Sequence, residues 1–264
     1  MRGNIITVPI EKIDAGETAS AQDLVAVEDP LQIRLNDRDT AITMRTPGND
    51  RELAAGFLFT EGILEDPSQI RSITQDDRGT ICIQLVPGHS PEAERLARNF
   101  YVTSSCGVCG KASIQALEAT GCTALPRDRP SVNRALIPQL PETLRSSQAV
   151  FERTGGLHAA GLFDLAGALV AVREDVGRHN AVDKLIGWAF LEKKLPLADH
   201  ILMLSGRISF ELVQKALRGG IPIAAAVGAP SSLAIETALR FGVTLIGFLR
   251  GNRFNVYSGA SRIQ

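Results

Sequence analysis

The stretch HILMLSGRISFELVQKALRGG (200–220) decides the fold class, and PIAAAVGAPSSLAIETALRFG (222–242) follows it with the same order of features. In each stretch, a short apolar run ends in a turn and leads into a segment whose apolar residues recur at helical spacing. TLIGFLRG (244–251) and RFNVYSG (253–259) add two more strand-like segments. Strands that alternate with helices predict an α/β fold with a layered C-terminal domain and a mostly parallel sheet.

The segments that precede this stretch add further predicted strands and helices. LHAAGLFD (157–164) and ALVAVRED (168–175) predict a strand pair, and NAVDKLIGWAFLEKK (180–194) predicts a helix. The N-terminal half alternates apolar and polar residues between turns, which predicts a smaller α+β domain. Its predicted elements are strands within 24–37 and 40–48, a helix at 50–64, and strands near 70–73 and 80–86.

Four prolines and several arginines between Leu125 and Leu144 predict a connection between two substructures. We therefore predict an N-terminal domain over 1–144 and a C-terminal domain over 145–264.

Composition excludes several classes of function. The chain has 264 residues, of which 44% are hydrophobic, and its formal net charge is −1. A large core is therefore possible, and nothing in the charge indicates a nucleic-acid partner. No apolar run reaches the roughly 20 residues that a membrane span needs, and the first residues do not resemble a signal peptide. We expect a cytoplasmic protein with no membrane or nucleic-acid partner.

The motif Cys106-Gly107-Val108-Cys109 carries the most specific chemistry. It follows three polar residues, Thr103 to Ser105, and precedes Lys111 and a helical pattern. The positive end of a helix and a nearby lysine favour the nucleophilic thiolate, and the flanking glycines leave the sulfur uncrowded. Such a cysteine can hold a sulfur atom as a persulfide. A zinc half-site and a redox disulfide are the competing interpretations, but the sequence offers no second pair of zinc ligands, so no structural metal is predicted.

Two further groups of residues predict an anion-binding site. Arg173, Arg178 and His179 lie between an apolar strand and a helix, where arginine can grip phosphate oxygens, although Asp175 or Asn180 could equally be helix caps. The loops SGRIS, GAPSS and LRGNR each follow an apolar strand. They contribute Arg207, Ser231, Arg250 and Arg253, and Phe248 could stack on a base.

These segments, taken together, resemble the FdhD family of formate dehydrogenase accessory sulfurtransferases. The matching blocks cover nearly the whole chain: EDPLQIRLN (28–36), ELAAGFLFTEGI (52–63), SSCGVCG (104–110), TGGLHAA (154–160), REDVGRHNAVDK (173–184), SGRISFE (205–211), APSSLAIETA (229–238) and GFLRGNRFNVYS (247–258). The resemblance implies a C-terminal domain similar to the cytidine deaminase fold without its catalytic zinc, and an N-terminal domain that carries the CxxC loop.

The resemblance also implies an activity. Sulfur would pass from a cysteine desulfurase to Cys106, assisted by Cys109, and then to the molybdenum of a bis(molybdopterin guanine dinucleotide) cofactor for the formate dehydrogenase catalytic subunit. The segment Phe248, Leu249, Arg250, Gly251, Asn252 and Arg253 would hold the guanine dinucleotide. Two other functions stay open, a non-catalytic chaperone of the molybdenum cofactor and a dithiol oxidoreductase. A homodimer is the default expectation for the assembly.

Overall fold

A computed structural model describes residues 3–89, Leu117 and 122–264 as a mixed α/β structure. Its strands are β1 (Ile5–Asp14), β2 (Glu17–Ala26), β3 (Asp29–Leu35), β4 (Arg38–Arg45), β5 (Ile70–Gln75), β6 (Thr80–Leu85), β7 (His158–Asp164), β8 (Leu169–Asp175), β9 (His200–Leu204), β10 (Ile223–Ala226), β11 (Thr244–Arg250) and β12 (Arg253–Ser258). The described α-helices are α1 (Asp50–Thr60), α2 (Leu140–Ser146), α3 (Ala149–Thr154), α4 (Arg178–Leu191), α5 (Phe210–Arg218) and α6 (Ser232–Phe241). None of these helices combines the length and apolar composition needed to cross a membrane.

The N-terminal half contains two sheets. Strands β1 and β2 form an antiparallel hairpin whose turn residues, Ala15 and Gly16, both have positive φ, as a tight hairpin turn requires. Strands β3 to β6 form a four-stranded sheet in the order β4-β3-β6-β5. The predicted α+β elements between residues 24 and 86 are present, although the stretch 24–37 divides between β2 and β3. Strand β1 and most of β2 were not predicted.

The C-terminal sheet has six strands in the order β12-β11-β10-β9-β7-β8. The predicted alternation of strands and helices over residues 157–259 is confirmed element by element. The prediction of a mostly parallel sheet is wrong, because only the β9–β10 and β10–β11 pairs are parallel. The β7–β8 hairpin, the β7–β9 pair and the β11–β12 hairpin are antiparallel.

One hydrophobic core connects the four-stranded sheet with the C-terminal sheet. Ile33 and Ile81 of the first sheet belong to the same buried cluster as Leu185 of α4 and Leu202 of β9. Between the sheets, α1 and α4 cross with almost no space between their backbones. A Cβ added at Gly56 would lie 1.9 Å from the carbonyl oxygen of Asp183, and glycine at this crossing is therefore obligatory.

The opposite face of the C-terminal sheet is covered by the segment that the sequence indicated as a connection. Ile137, Leu140 and Leu144 pack there against Phe163 and Ile201 in a second buried cluster. The proposed boundary at residue 145 falls inside α2, whose apolar side faces the C-terminal sheet. The division of the chain at 145 and the likeness to the cytidine deaminase fold stay predictions.

Candidate functional site

The carboxyl ends of β9, β10 and β11 meet at one edge of the C-terminal sheet, because these three strands are parallel neighbours. The loops that follow them are in direct contact. The backbone N–H of Gly228 donates to the carbonyl of Gly206 at 2.9 Å, and the N–H of Phe248 donates to the carbonyl of Gly228 at 3.0 Å. The structure thus brings together the loops that carry Arg207 and Ser231 and the end of β11 that carries Phe248.

Phe248 is held in an unusual state. Its φ is 51°, in the left-handed region that a bulky residue rarely occupies, and 43% of its surface is exposed. Glycine would adopt this backbone conformation at no steric cost. The exposed part of the phenyl ring adds no hydrophobic stabilisation to the fold. A strained backbone under an exposed ring is typical of a residue that a ligand contacts.

The residues after Phe248 divide into two groups. Arg250, Gly251, Asn252 and Arg253 are exposed at the tip of the β11–β12 hairpin, where Gly251 also has positive φ. Leu249 is fully buried, together with Ile246, in the second buried cluster, which covers the opposite face of the C-terminal sheet. The Leu249 side chain is therefore inaccessible in this structure, and the role of Leu249 in holding the cofactor stays a prediction.

Ser231 has a structural task in addition to any binding role. It is the N-cap of α6, and its Oγ accepts a hydrogen bond from the N–H of Ala234 at 3.3 Å. This bond satisfies one of the free N–H groups at the helix start.

Arg178 and His179 begin α4 directly after the N-cap Gly177. The Nε2 atom of His179 lies 3.3 Å from Ser209 Oγ in the loop after β9. The Nε atom of Arg178 is buried and has no hydrogen-bond partner among the described residues. Because a buried guanidinium donor without an acceptor is costly, this atom indicates a place where an external acceptor binds.

His158, at the start of β7, lies near Arg178 and Arg207, and we call these residues and His179 the cationic cluster. The sequence analysis gave His158 no role in the site. Burial lowers its pKa, and Arg178 and Arg207 lower it further. Burial likewise lowers the pKa of His179, to about 4, with additional contributions from Arg178 and Lys215. Both imidazoles are therefore neutral at neutral pH, and they lie in a positive potential that the arginines create.

Asp175 holds the turn that presents Arg178 and His179. It is fully buried and accepts hydrogen bonds from Lys184 Nζ at 2.7 Å, the Gly177 N–H at 2.8 Å and Asn180 Nδ2 at 2.9 Å. Asp175 and Asn180 were alternatives as helix caps, and the structure gives the capping position to Gly177 instead. The buried ion pair thus fixes the start of α4 from below.

Arg173, predicted to grip phosphate, is paired with a carboxylate in this structure, and its phosphate contact stays a prediction. Its Nη2 atom donates to Glu52 Oε1 at 2.8 Å, and its guanidinium lies 5.9 Å from the centre of the Trp188 ring. Arg173 therefore links β8 to α1, away from the sheet edge. Glu52 lies 121 positions earlier in the chain, so no local pattern could have identified this partner.

Cys106 and Cys109 lie outside the described residues, and their roles stay predictions. Within residues 3–89 and 122–264, no group of three or more His, Cys, Asp or Glu side chains is arranged to hold a metal ion.

Comparison with known proteins places this arrangement in a family. The model of the FdhD/NarQ family matches residues 26–264, which include every residue of the sheet-edge site. The chain belongs to the FdhD/NarQ family. The match extends from β2 to the last residues, so it covers both large sheets as well as the residues between them.

Members of the FdhD/NarQ family with assigned names are similar over nearly their whole length. A sulfur carrier protein FdhD from Streptomyces coelicolor is 50% identical, with 96% of this chain and 93% of the relative covered. The protein of the same name from Sulfolobus acidocaldarius is 48% identical, with 97% of each covered. A crystal structure described as a formate dehydrogenase accessory protein from Desulfotalea psychrophila has a TM-score of 0.79 and 29% identity, and covers 98% of this chain and 99% of its own.

Proposed function

We propose that this protein is a sulfurtransferase that carries sulfur on Cys106 and delivers it to the molybdenum of bis(molybdopterin guanine dinucleotide), its bound substrate, during formate dehydrogenase maturation. The names of its relatives support a sulfur-carrier role, and the resemblance of the CxxC segment supports the persulfide chemistry. The observation that carries the binding half of the proposal is the buried Nε atom of Arg178, which has no hydrogen-bond partner among the described residues.

The first chemical step is an exchange between sulfur atoms. The Cys106 thiolate attacks the terminal sulfur of a persulfide on a cysteine desulfurase, and the bond between that sulfur and the desulfurase cysteine breaks. The desulfurase leaves as a thiolate, and Cys106 holds the new persulfide. The Cys109 thiolate then attacks the Sγ atom of Cys106, and the bond from Cys106 to the carried sulfur breaks. The carried sulfur leaves as sulfide for molybdenum, Cys106 and Cys109 become a disulfide, and a thiol reductant restores both thiols.

The sheet edge would hold the guanine dinucleotide end of the substrate. Arg178, Arg207, Arg250 and Arg253 supply positive charge for the phosphates, and arginine forms paired hydrogen bonds to phosphate oxygens. Phe248 offers an exposed ring face for a base. Neutral His179 contributes a hydrogen bond without adding charge.

Mass spectrometry of the protein after incubation with a cysteine desulfurase and cysteine tests the proposal. We expect one additional sulfur on the peptide that contains Cys106, and none in Cys106→Ala. Cys82→Ala is the matched control, because Cys82 lies in β6 with its thiol bonded to the Asn36 carbonyl, and it should be loaded like the wild type. Loading of Cys106→Ala to the wild-type level would exclude Cys106 as the carrier.

The same variant separates the two alternatives. A chaperone without chemistry predicts that Cys106→Ala still activates formate dehydrogenase in a reconstituted assay, whereas a sulfurtransferase predicts an inactive enzyme and undiminished affinity for guanine nucleotide. A dithiol oxidoreductase predicts reversible disulfide formation between Cys106 and Cys109 without sulfur loading.

A further inference from the structure

The two imidazoles of the cationic cluster contact the same loop, the one that follows β9. A Cβ added at Gly206 would lie 3.2 Å from the Nδ1 atom of His158, and the Nε2 atom of His179 lies 3.3 Å from Ser209 Oγ. His158 reaches the loop from the start of β7, and His179 reaches it from the first turn of α4. The two titratable side chains therefore belong to one site although they come from different elements.

Two helices begin at this site. Helix α4 begins at Arg178 after the N-cap Gly177, and α5 begins at Phe210 after the N-cap Ser209. Neither N-cap residue forms a side-chain bond to its helix, and the first N–H groups of a helix carry a positive partial charge. The two helix starts therefore disfavour a protonated imidazole while the site is empty, and they favour an anion.

The buried Nε atom of Arg178 marks where the anion binds, because this atom has no hydrogen-bond partner among the described residues. A guanidinium stays protonated in proteins, so its N–H needs an acceptor, and a phosphate oxygen forms a charge-assisted bond to it. Arg178 is close enough to lower the pKa of both His158 and His179. An anion bound to this guanidinium therefore acts on both imidazoles with the opposite sign.

The charges that face His179 come from α4, α5 and β7. Burial is the main reason why its pKa falls to about 4, and Arg178, Lys215 and His158 lower it further. Glu211 of α5 raises it, but this carboxylate is half exposed and lies 3.9 Å from the Nε2 atom of His179. The empty site therefore keeps His179 neutral at any pH well above 4.

His158 has surroundings of the same kind. Burial lowers its pKa, Arg178 and Arg207 lower it further, and Asp175 of β8 raises it. Asp175 lies opposite His158 in the β7–β8 pair, but its carboxylate is already paired with Lys184 at 2.7 Å. A polyanionic ligand would therefore add the negative charge that both imidazoles lack.

We infer that the cationic cluster is a proton-coupled phosphate site: in mildly acidic solution, His158 and His179 each take up a proton from solvent when a phosphorylated ligand binds at Arg178, and release it when the ligand leaves. The added positive charge arrives together with the negative charge that it pairs with, so neither is buried alone. Near neutral pH, both imidazoles stay largely neutral in the occupied site as well. The inference concerns the regulation of the proposed substrate site and rests on the proposed function.

The direction of the pH dependence follows from linkage. A bound anion should raise the pKa of His179 from about 4 toward its ordinary value of 6.5. Between these two values, binding takes up a proton, and affinity therefore increases as the pH falls. If the ordinary value is reached, His179 alone makes binding about tenfold tighter at pH 5.5 than at pH 7.5.

Nuclear magnetic resonance of the imidazole Cε1–H groups in the full chain tests the inference. The chain has four histidines, so four signals are expected, and single His→Gln variants assign them. With saturating inorganic pyrophosphate, the pKa of His179 should rise to about 5 or above, and that of His158 should rise as well. His200 is the matched control, because burial lowers its pKa too, but it lies at the amino end of β9 and should not respond.

Calorimetric titration with pyrophosphate at pH 5.5 and pH 7.5 measures the consequence for affinity. Pyrophosphate itself changes charge between these pH values, so the quantity to compare is the ratio of wild-type to variant affinity at each pH. His179→Gln keeps a hydrogen-bond donor but cannot take up a proton, and this ratio should be about tenfold larger at pH 5.5 than at pH 7.5. His200→Gln should match the wild type at both pH values.

The ratio should show the same pH dependence when GDP replaces pyrophosphate. Coupling to pyrophosphate alone would indicate an adventitious ion only, and would overturn the assignment to the substrate site. An equal ratio at both pH values, or pKa values of His158 and His179 that pyrophosphate leaves unchanged, would overturn the proton coupling itself. The spectra of the wild type carry the test if His179→Gln does not fold, because His179 is then the one signal that the other variants leave unassigned.

These failures differ from a failure of the proposed function. Wild-type protein that binds neither pyrophosphate nor GDP would remove the binding half of the proposed function together with the inference. Ligand that binds without a change at the imidazoles removes the inference alone. Sulfur loading of Cys106 is read without any phosphate ligand, so it stays independent of both results.

Discussion

The interior between the two large sheets and the edge of the C-terminal sheet differ in whether their charged side chains form ion pairs. In the interior, Lys184 pairs with Asp175 at 2.7 Å and Lys215 pairs with Asp183 at 2.9 Å, and all four side chains are nearly inaccessible. At the edge, the described residues provide no ion pair for Arg207, Arg250 or Arg253.

This difference separates residues that hold the fold from residues that meet a ligand. A buried charge without a counterion strongly destabilises the folded state, so the interior pairs have to be complete. An exposed arginine costs little when unpaired, and it keeps its hydrogen-bond donors available for phosphate. The comparison predicts large effects on stability from interior substitutions and effects on binding from edge substitutions.

The largest effect is expected where the helices cross. In Gly187→Ala, the new methyl group would lie 1.9 Å from the backbone carbonyl oxygen of Glu52. No side-chain rotation can relieve this clash, because the positions of the Cβ atom and of the carbonyl oxygen are both fixed by the backbone. We expect a loss of at least about 4 kcal/mol in the free energy of unfolding, measured by urea denaturation. Gly156→Ala is the control and should be as stable as the wild type, since the nearest atom to its Cβ is 3.8 Å away. Equal stability of the two variants would break the comparison.

An intermediate effect on stability is expected when the pH falls and His179 becomes protonated. Its pKa of about 4 in the folded protein lies below the ordinary value of 6.5, so the unfolded chain takes up the proton first as the pH falls. Stability should therefore be complete above pH 6.5 and decrease down to pH 4, by up to about 3 kcal/mol for this group.

Urea denaturation of His179→Gln at pH 7 and pH 4.5 measures this contribution. The variant should lose less stability between the two pH values than the wild type does, with the remaining loss coming in part from His158, whose pKa burial also lowers. Pyrophosphate bound near Arg178 should raise the pKa of His179 and reduce the loss in the wild type. An identical pH dependence in wild type and His179→Gln would contradict the assignment.

The smallest effect on stability, with the opposite sign, is expected at the edge. Phe248→Gly removes an exposed ring and places glycine at a φ of 51°, so the protein should become equally stable or more stable by up to about 1 kcal/mol. Affinity for GDP should nevertheless fall about tenfold, measured by calorimetry, because the stacking surface is lost. A destabilised variant with wild-type affinity would assign Phe248 to the fold instead.

The sequence predicted the elements of the C-terminal half because each strand and helix there has a strong local pattern. It also predicted that the loops after β9, β10 and β11 share an edge, since this follows from parallel strands alone. It overestimated the parallel content, because strand direction in the β7–β8 and β11–β12 hairpins depends on which neighbour each strand joins.

Position in the sequence does not give the contacts at the site. Arg173 and Leu249 were assigned from their neighbours in the sequence, whereas their side chains contact Glu52 and the second buried cluster. His158 lies in the TGGLHAA block (154–160) but was given no role, because its burial and its position near Arg178 and Arg207 appear only in the folded chain.

The crossing of α1 and α4 also bears on how the protein can be divided. Residues from 31 to 245 contribute to one buried cluster, so the halves on either side of residue 145 share an interior instead of each having its own. A protease cut at that position would leave two fragments that remain associated. Either fragment alone would expose a large apolar surface to water. Amide hydrogens of α1 and α4 should then exchange with solvent together, in a single opening event.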